Sequence, residues 1–101
     1  MILTPMSERR SMPRYNIALP ITAGNVRGTT RNLGVSGVSF IAPAALSVDE
    51  SVTFSIVLEP EPRPLTMNCT GVVKRATPLK DGRFEIALTI DALDLDSGTK
   101  I

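Results

Sequence analysis

Between Ser51 and Leu58 the apolar residues Val52, Phe54, Ile56 and Leu58 fall at every second position. A helix would scatter these four around its axis, whereas a β-strand places them all on one face. The same period returns in Leu65–Ala76, where Leu65, Met67, Cys69, Gly71 and Val73 are in phase. It returns again in Arg83–Ile90 with Phe84, Ile86, Leu88 and Ile90. Ile17, Leu19 and Ile21 share a face earlier in the chain, with Pro20 on the other, which predicts an edge or an irregularity there. A strand from about Val26 to Leu33 is rich in polar β-formers, and Val38–Ile41 is a further extended stretch.

The segments between these runs read as turns. Ala23-Gly24-Asn25 and Lys80-Asp81-Gly82 carry the glycine chemistry of tight hairpins. Asn32-Leu33-Gly34-Val35-Ser36-Gly37 predicts a turn or bulge with positions open to positive φ. Ala42–Ala45 ends a strand, and Leu46–Glu50 is a connection. Glu59-Pro60-Glu61-Pro62-Arg63-Pro64 must be a loop, because its three prolines lack ladder donors. Gly71 marks an expected bend or bulge in a long strand.

These strands and turns predict an all-β fold, a small six-stranded antiparallel β-barrel. With three phenylalanines, one tyrosine and no tryptophan, the core must be built mainly of Val, Ile, Leu and Ala, and a closed barrel of that size is the easier one to fill. Closure also removes exposed edges. The expected organisation is a flexible leader at 1–7, a single barrel domain at 8–96 and a tail at 97–101. Asp91, placed as a cap, predicts a short C-terminal helix in Asp91–Asp96.

The chain has no histidine and one cysteine. The usual neutral-pH base, a thiol cluster for zinc and an intrachain disulfide are therefore excluded, and no enzyme activity is expected. Cys69 reads as a small packed hydrophobe. Asp91, Asp94 and Asp96 lack the glycine-centred loop of a calcium hand and read as a solvated acidic tail. No cofactor or metal is expected. No segment reads as a membrane span or signal peptide core, so no membrane insertion is expected and the default location is the cytoplasm.

Charge is unevenly placed. Residues 1–35 hold five arginines, Arg9, Arg10, Arg14, Arg27 and Arg31, against the single Glu8, on a chain whose net charge is +1. That distribution favours one local anionic site over a broad polyanion face. Arg9-Arg10-Ser11-Met12-Pro13-Arg14 is the main candidate, because guanidinium forks clamp phosphates and read guanine edges, and Pro13 keeps the segment extended. Asn32–Gly37 is the second, offering an amide that donates and accepts beside accessible backbone N–H groups. Arg27 and Arg31, in phase on the strand before it, would thicken the positive patch. On composition alone, a basic leader is more often a solvated tail than a site, Asn32–Gly37 alone is more often an ordinary turn, and a solvated strand face explains Arg27 and Arg31 equally well.

Taken together, the two elements resemble the PilZ domain family, bacterial β-barrels that bind cyclic di-GMP. The family's two arginines separated by three residues match Arg10-Ser11-Met12-Pro13-Arg14, with Arg9 just before. Its Asp/Asn-x-Ser-x-x-Gly motif matches Asn32-Leu33-Gly34-Val35-Ser36-Gly37, with Gly34 where serine is usual. The later Gly71–Arg75 and Phe84–Leu88 strands also fit, so the resemblance covers roughly residues 8–92. It implies that Arg9, Arg10 and Arg14 hold phosphates and guanine edges, that Asn32 contacts a base, and that Gly34 and Gly37 shape the turn beneath the ligand. The expected partners are cyclic di-GMP and a separate effector protein, and the sequence carries no signal for an oligomeric state. Losing the serine hydroxyl at Gly34 is expected to weaken binding by about 0.5–1.5 kcal/mol. Gly34 and the stiff Glu59–Pro64 loop also motivate an alternative, a nucleotide-free adaptor acting by protein–protein contact. A barrel for DNA or RNA single strands is disfavoured by the shortage of aromatic stacking platforms.

Overall fold

The alternating apolar positions become strands because each can bury one face against the others around a shared core. The computed structural model describes residues 14–59 and 64–96. The leader at 1–7 with Arg9 and Arg10, most of the proline loop and the tail at 97–101 lie outside the described residues. Eight strands run β1 (Arg14–Tyr15), β2 (Pro20–Ala23), β3 (Val26–Gly34), β4 (Gly37–Ala42), β5 (Ser51–Glu59), β6 (Leu65–Pro78), β7 (Phe84–Thr89) and β8 (Ala92–Asp96).

Six of them close an antiparallel barrel in the order β3-β2-β5-β6-β7-β4, with β4 pairing back onto β3. The remaining two are short additions: β1 pairs with the end of β3, and β8 pairs with the first half of β6. Phe40, Phe54, Ile21, Ile56, Ile86, Val38, Val73 and Cys69 fill the interior. Val52, Phe54 and Ile56, and likewise Ile86 and Leu88, point inward as their period predicts. Burial also pushes the Cys69 thiol above its ordinary pKa, so it packs as an inert small hydrophobe.

The acidic tail is a strand, not the expected helix. Its Leu93 and Leu95 lie opposite Cys69 and Met67 of β6, and the Asp91 N–H donates to the Thr70 carbonyl at 2.8 Å. An open edge on β6 wins over a local capping signal. Gly24, at φ 60°, opens a two-residue hairpin between the paired Ala23 and Val26, and the strand it serves is shorter than the expected Ile17–Thr22 run. In the β6–β7 hairpin the Arg83 side chain bonds Asp81 at 2.8 Å, which holds the Asp81 carboxyl below the usual carboxylate range.

Three irregularities bend the wall. Register shifts lie between Thr30 and Asn32 on β3, between Val57 and Glu59 on β5, and between Val73 and Arg75 on β6. Each inserts one residue, bending the strand and increasing its twist. The β6 bulge therefore sits at Lys74, not at Gly71. Gly71 serves close approach instead: a Cβ there would stand 1.8 Å from the Thr89 carbonyl oxygen.

Candidate ligand site

The β3 bulge decides which way Asn32 faces. Thr30 is buried and pairs with inward-facing Phe40, so a regular strand would turn Asn32 inward as well. Arg31 is the inserted residue, and parity flips after it. Asn32 then lies opposite Ser39 on the outer wall. The β6 bulge acts in the same way: after Lys74, Arg75 pairs with outward-facing Ala87 instead of following Val73 into the core.

Thr30 also positions Arg14. Its Oγ1 accepts from the Leu19 N–H at 2.9 Å and donates to the Ile17 carbonyl, and its own N–H donates to the Leu19 carbonyl at 2.9 Å. These bonds tie residues 17–19 to the middle of β3. The chain before them is thereby laid along the end of β3, with Arg14 opposite Gly34 and Tyr15 opposite Leu33. Asn32 is the diagonal neighbour of Arg14 in this register, within reach of a long side chain. Arg14 Nη2 donates to Asn32 Oδ1 at 2.9 Å.

Arg14, Asn32 and Gly37 meet around a cleft of about 280 Å³ on the outer wall. Ser39, Lys74, Arg75, Glu85 and Thr89 line it as well. Gly34 faces elsewhere, into an apolar cleft of about 320 Å³ with Tyr15, Leu33, Val35, Met67, Ile90 and Leu93. Neither Gly34 nor Gly37 supplies the positive φ expected of a turn: they end β3 and begin β4, and positive φ among the described glycines falls at Gly24 and Gly82. Gly37 instead meets β7 closely, since a Cβ there would lie 3.0 Å from the Leu88 carbonyl oxygen. The turn itself is only Val35-Ser36, pinned by the Ile90 N–H to the Ser36 carbonyl at 3.0 Å.

Arg31, expected to thicken the positive patch, is committed to Glu85 at 3.5 Å. An exposed pair of this kind adds little stability, but it partly neutralises one cation at the rim. Ser39, Lys74, Arg75, Glu85 and Thr89 were not singled out from the sequence. Adjacent Lys74-Arg75 in a strand was the available signal, but regular alternation sends one of two neighbours inward.

Arg14, Lys74 and Arg75, with Glu85 beside them, thus line one cleft on the outside of a closed six-stranded barrel. Residues 8–101 match the family model for the PilZ domain, and the chain belongs to that family. PilZ domains are receptor and adaptor domains of a cyclic di-GMP-binding signalling family, not enzymes. Among solved structures, the barrel resembles that of the Bacillus subtilis inhibitor of motility (MotI/DgrA), with a TM-score of 0.71 over 85% of this chain at 17% identity. This chain spans 44% of the length of that one. No curated protein matches the sequence. Among the described residues, no helix is long and apolar enough to cross a membrane.

Proposed function

We propose that this chain binds cyclic di-GMP on the outer wall of β3 and β4 and passes the signal to a separate effector protein in the cytoplasm. The observation that carries this reading is the 2.9 Å bond from Arg14 to Asn32, which joins the arginine segment and the Asn/Gly segment on one face of the barrel. Arg14 and Asn32 supply guanidinium and amide groups for phosphate and guanine edges. Arg9 and Arg10, lying just before Arg14, add further guanidinium groups, and Gly37 keeps the wall beneath the ligand free of side chain. Gly34, opposite Arg14 in the pairing, stands where the family motif has a serine.

Titration calorimetry with cyclic di-GMP tests this reading. We expect saturable binding that Arg10→Ala with Arg14→Ala abolishes, and Gly34→Ser is expected to tighten binding a few-fold by restoring one hydrogen bond. An absence of heat at about 100 μM ligand, some 5–6 kcal/mol of binding free energy, rejects a useful receptor. The adaptor reading is favoured by one observation, the apolar cleft around Gly34 with Tyr15, Val35 and Leu93 exposed beside it. Under that reading, a partner recovered by pull-down stays bound to the Arg10→Ala, Arg14→Ala variant.

A further inference from the structure

The cleft is longer than the two motifs that identify it. Reading directly across the strands, Asn32 of β3 pairs with Ser39 of β4, Ser39 pairs with Ala87 of β7, and Ala87 pairs with Arg75 of β6. This row crosses three strand spacings, roughly 14 Å of wall. Its floor is two small residues, Ser39 and Ala87. At one end stands Arg14, bonded to Asn32, and at the other stand the exposed Lys74 and Arg75.

A second observation lies in the floor. Ser39 is only 5% exposed, and its Oγ is buried without a hydrogen-bond partner among the described residues. A buried hydroxyl left unpaired costs about 1–3 kcal/mol, so it is rarely kept without a use. Lys74 and Arg75 have no carboxylate partner among the described residues either, whereas Arg31 across the rim has Glu85. Cations at both ends of a shallow trough, with small residues and one unspent hydroxyl between them, suit a flat ligand carrying two separated anionic groups.

We propose that Lys74 and Arg75, with Ser39 in the floor, form a second anion subsite that receives the phosphate of the dinucleotide lying away from Arg14. This rests on the cyclic di-GMP reading and extends it to residues outside both motifs. One phosphate is then met by the guanidinium of Arg14, held on β1 against the bulged strand β3, the other by Lys74 and Arg75 of the bulged strand β6, and the ring lies over Ser39 and Ala87.

The test compares cyclic di-GMP affinity of the intact chain with three variants: Arg14→Ala, Lys74→Ala with Arg75→Ala, and Lys80→Ala with Arg83→Ala. The last removes the same charge from the exposed β6–β7 hairpin, outside the cleft. The trough variant is expected to bind about tenfold more weakly with a shallower salt dependence, while the hairpin variant stays within about twofold of the parent. Ser39→Ala is expected to lose a few-fold. If the trough and hairpin variants bind alike while Arg14→Ala is lost, the subsite is wrong and the receptor reading stands. If the parent chain does not bind, both fall.

Discussion

Strands β3 and β6 carry the same local grammar. Each has a glycine, two β-branched residues and a base, Gly28-Thr29-Thr30-Arg31 on one and Gly71-Val72-Val73-Lys74 on the other, and in each the base is the bulged residue. Each strand changes partner along one edge: β3 passes from β2 to β1, and β6 passes from β8 to β7. The buried residue before each bulge secures an incoming segment. Val73 does so through its backbone alone, donating to the Glu50 carbonyl at 3.0 Å and accepting from the Asp49 N–H at 2.8 Å. Thr30 uses its backbone N–H and adds a hydroxyl that takes two more bonds. The bend is generic, and the extra hydroxyl belongs to the strand that must place Arg14. A β-barrel thus obtains curvature and an outward turn of Asn32 and Arg75 from one device, and a single side-chain difference at the bend distinguishes the two strands.

The largest expected effect strikes the feature the two strands share. A Cβ on Gly71 meets the Thr89 carbonyl oxygen at 1.8 Å, and one on Gly28 meets the Ile41 carbonyl oxygen at 2.3 Å. Backbone cannot yield as a side chain can, so Gly71→Ala is expected to destabilise the barrel by about 3 kcal/mol, and Gly28→Ala by about 2 kcal/mol. Urea denaturation of both variants provides the ranking. A Gly71→Ala variant within about 0.5 kcal/mol of the parent would show that the two glycines are not equivalent close-approach points.

The next prediction acts on the difference between the strands. Thr30→Val makes β3 resemble β6 and strips two hydrogen bonds from residues 17 and 19, leaving part-buried backbone groups unpaired. The expected cost is about 2 kcal/mol. Because those bonds lay the chain toward β1, hydrogen exchange at the Leu19 amide should quicken and cyclic di-GMP binding should weaken with it. Normal affinity in a destabilised Thr30→Val protein would separate barrel stability from Arg14 placement.

Much of this architecture is legible in the residues themselves, because period-two burial in Ser51–Leu58 and Arg83–Ile90 is set locally by the pleat. Asp81-Gly82 and Gly24-Asn25 likewise declare their hairpins through backbone preference. The bulges at Arg31 and Lys74 do not declare themselves, since a bulge is a property of register between strands distant in sequence. For that reason the sequence offers Asn32 only through its amide beside two glycines and its motif, and it gives Lys74, Arg75 and Ser39 no ligand role. That Asp91–Asp96 holds a strand in place of the expected helical turn has a related cause. Leu93 and Leu95 alternate with acids, but only the free edge of β6 selects a strand over one helical turn.

Ser39 carries the smallest effect and the most informative sign. It occupies on the β3 side of the trough the place that Ala87 occupies on the β6 side, each directly opposite the first residue after a bulge. Ser39→Ala makes the two halves alike. If the hydroxyl were structural, its removal would destabilise the barrel. Since it is buried and unpaired among the described residues, its removal is expected to leave stability unchanged or raise it by up to about 1 kcal/mol, while affinity for the dinucleotide declines. Denaturant melts and calorimetry on the same preparation read both quantities, and opposite signs in them mark a group retained for ligand. A parallel loss of stability and affinity would instead place Ser39 among the ordinary supports of the wall, leaving the asymmetry between the two bulged strands to Thr30 alone.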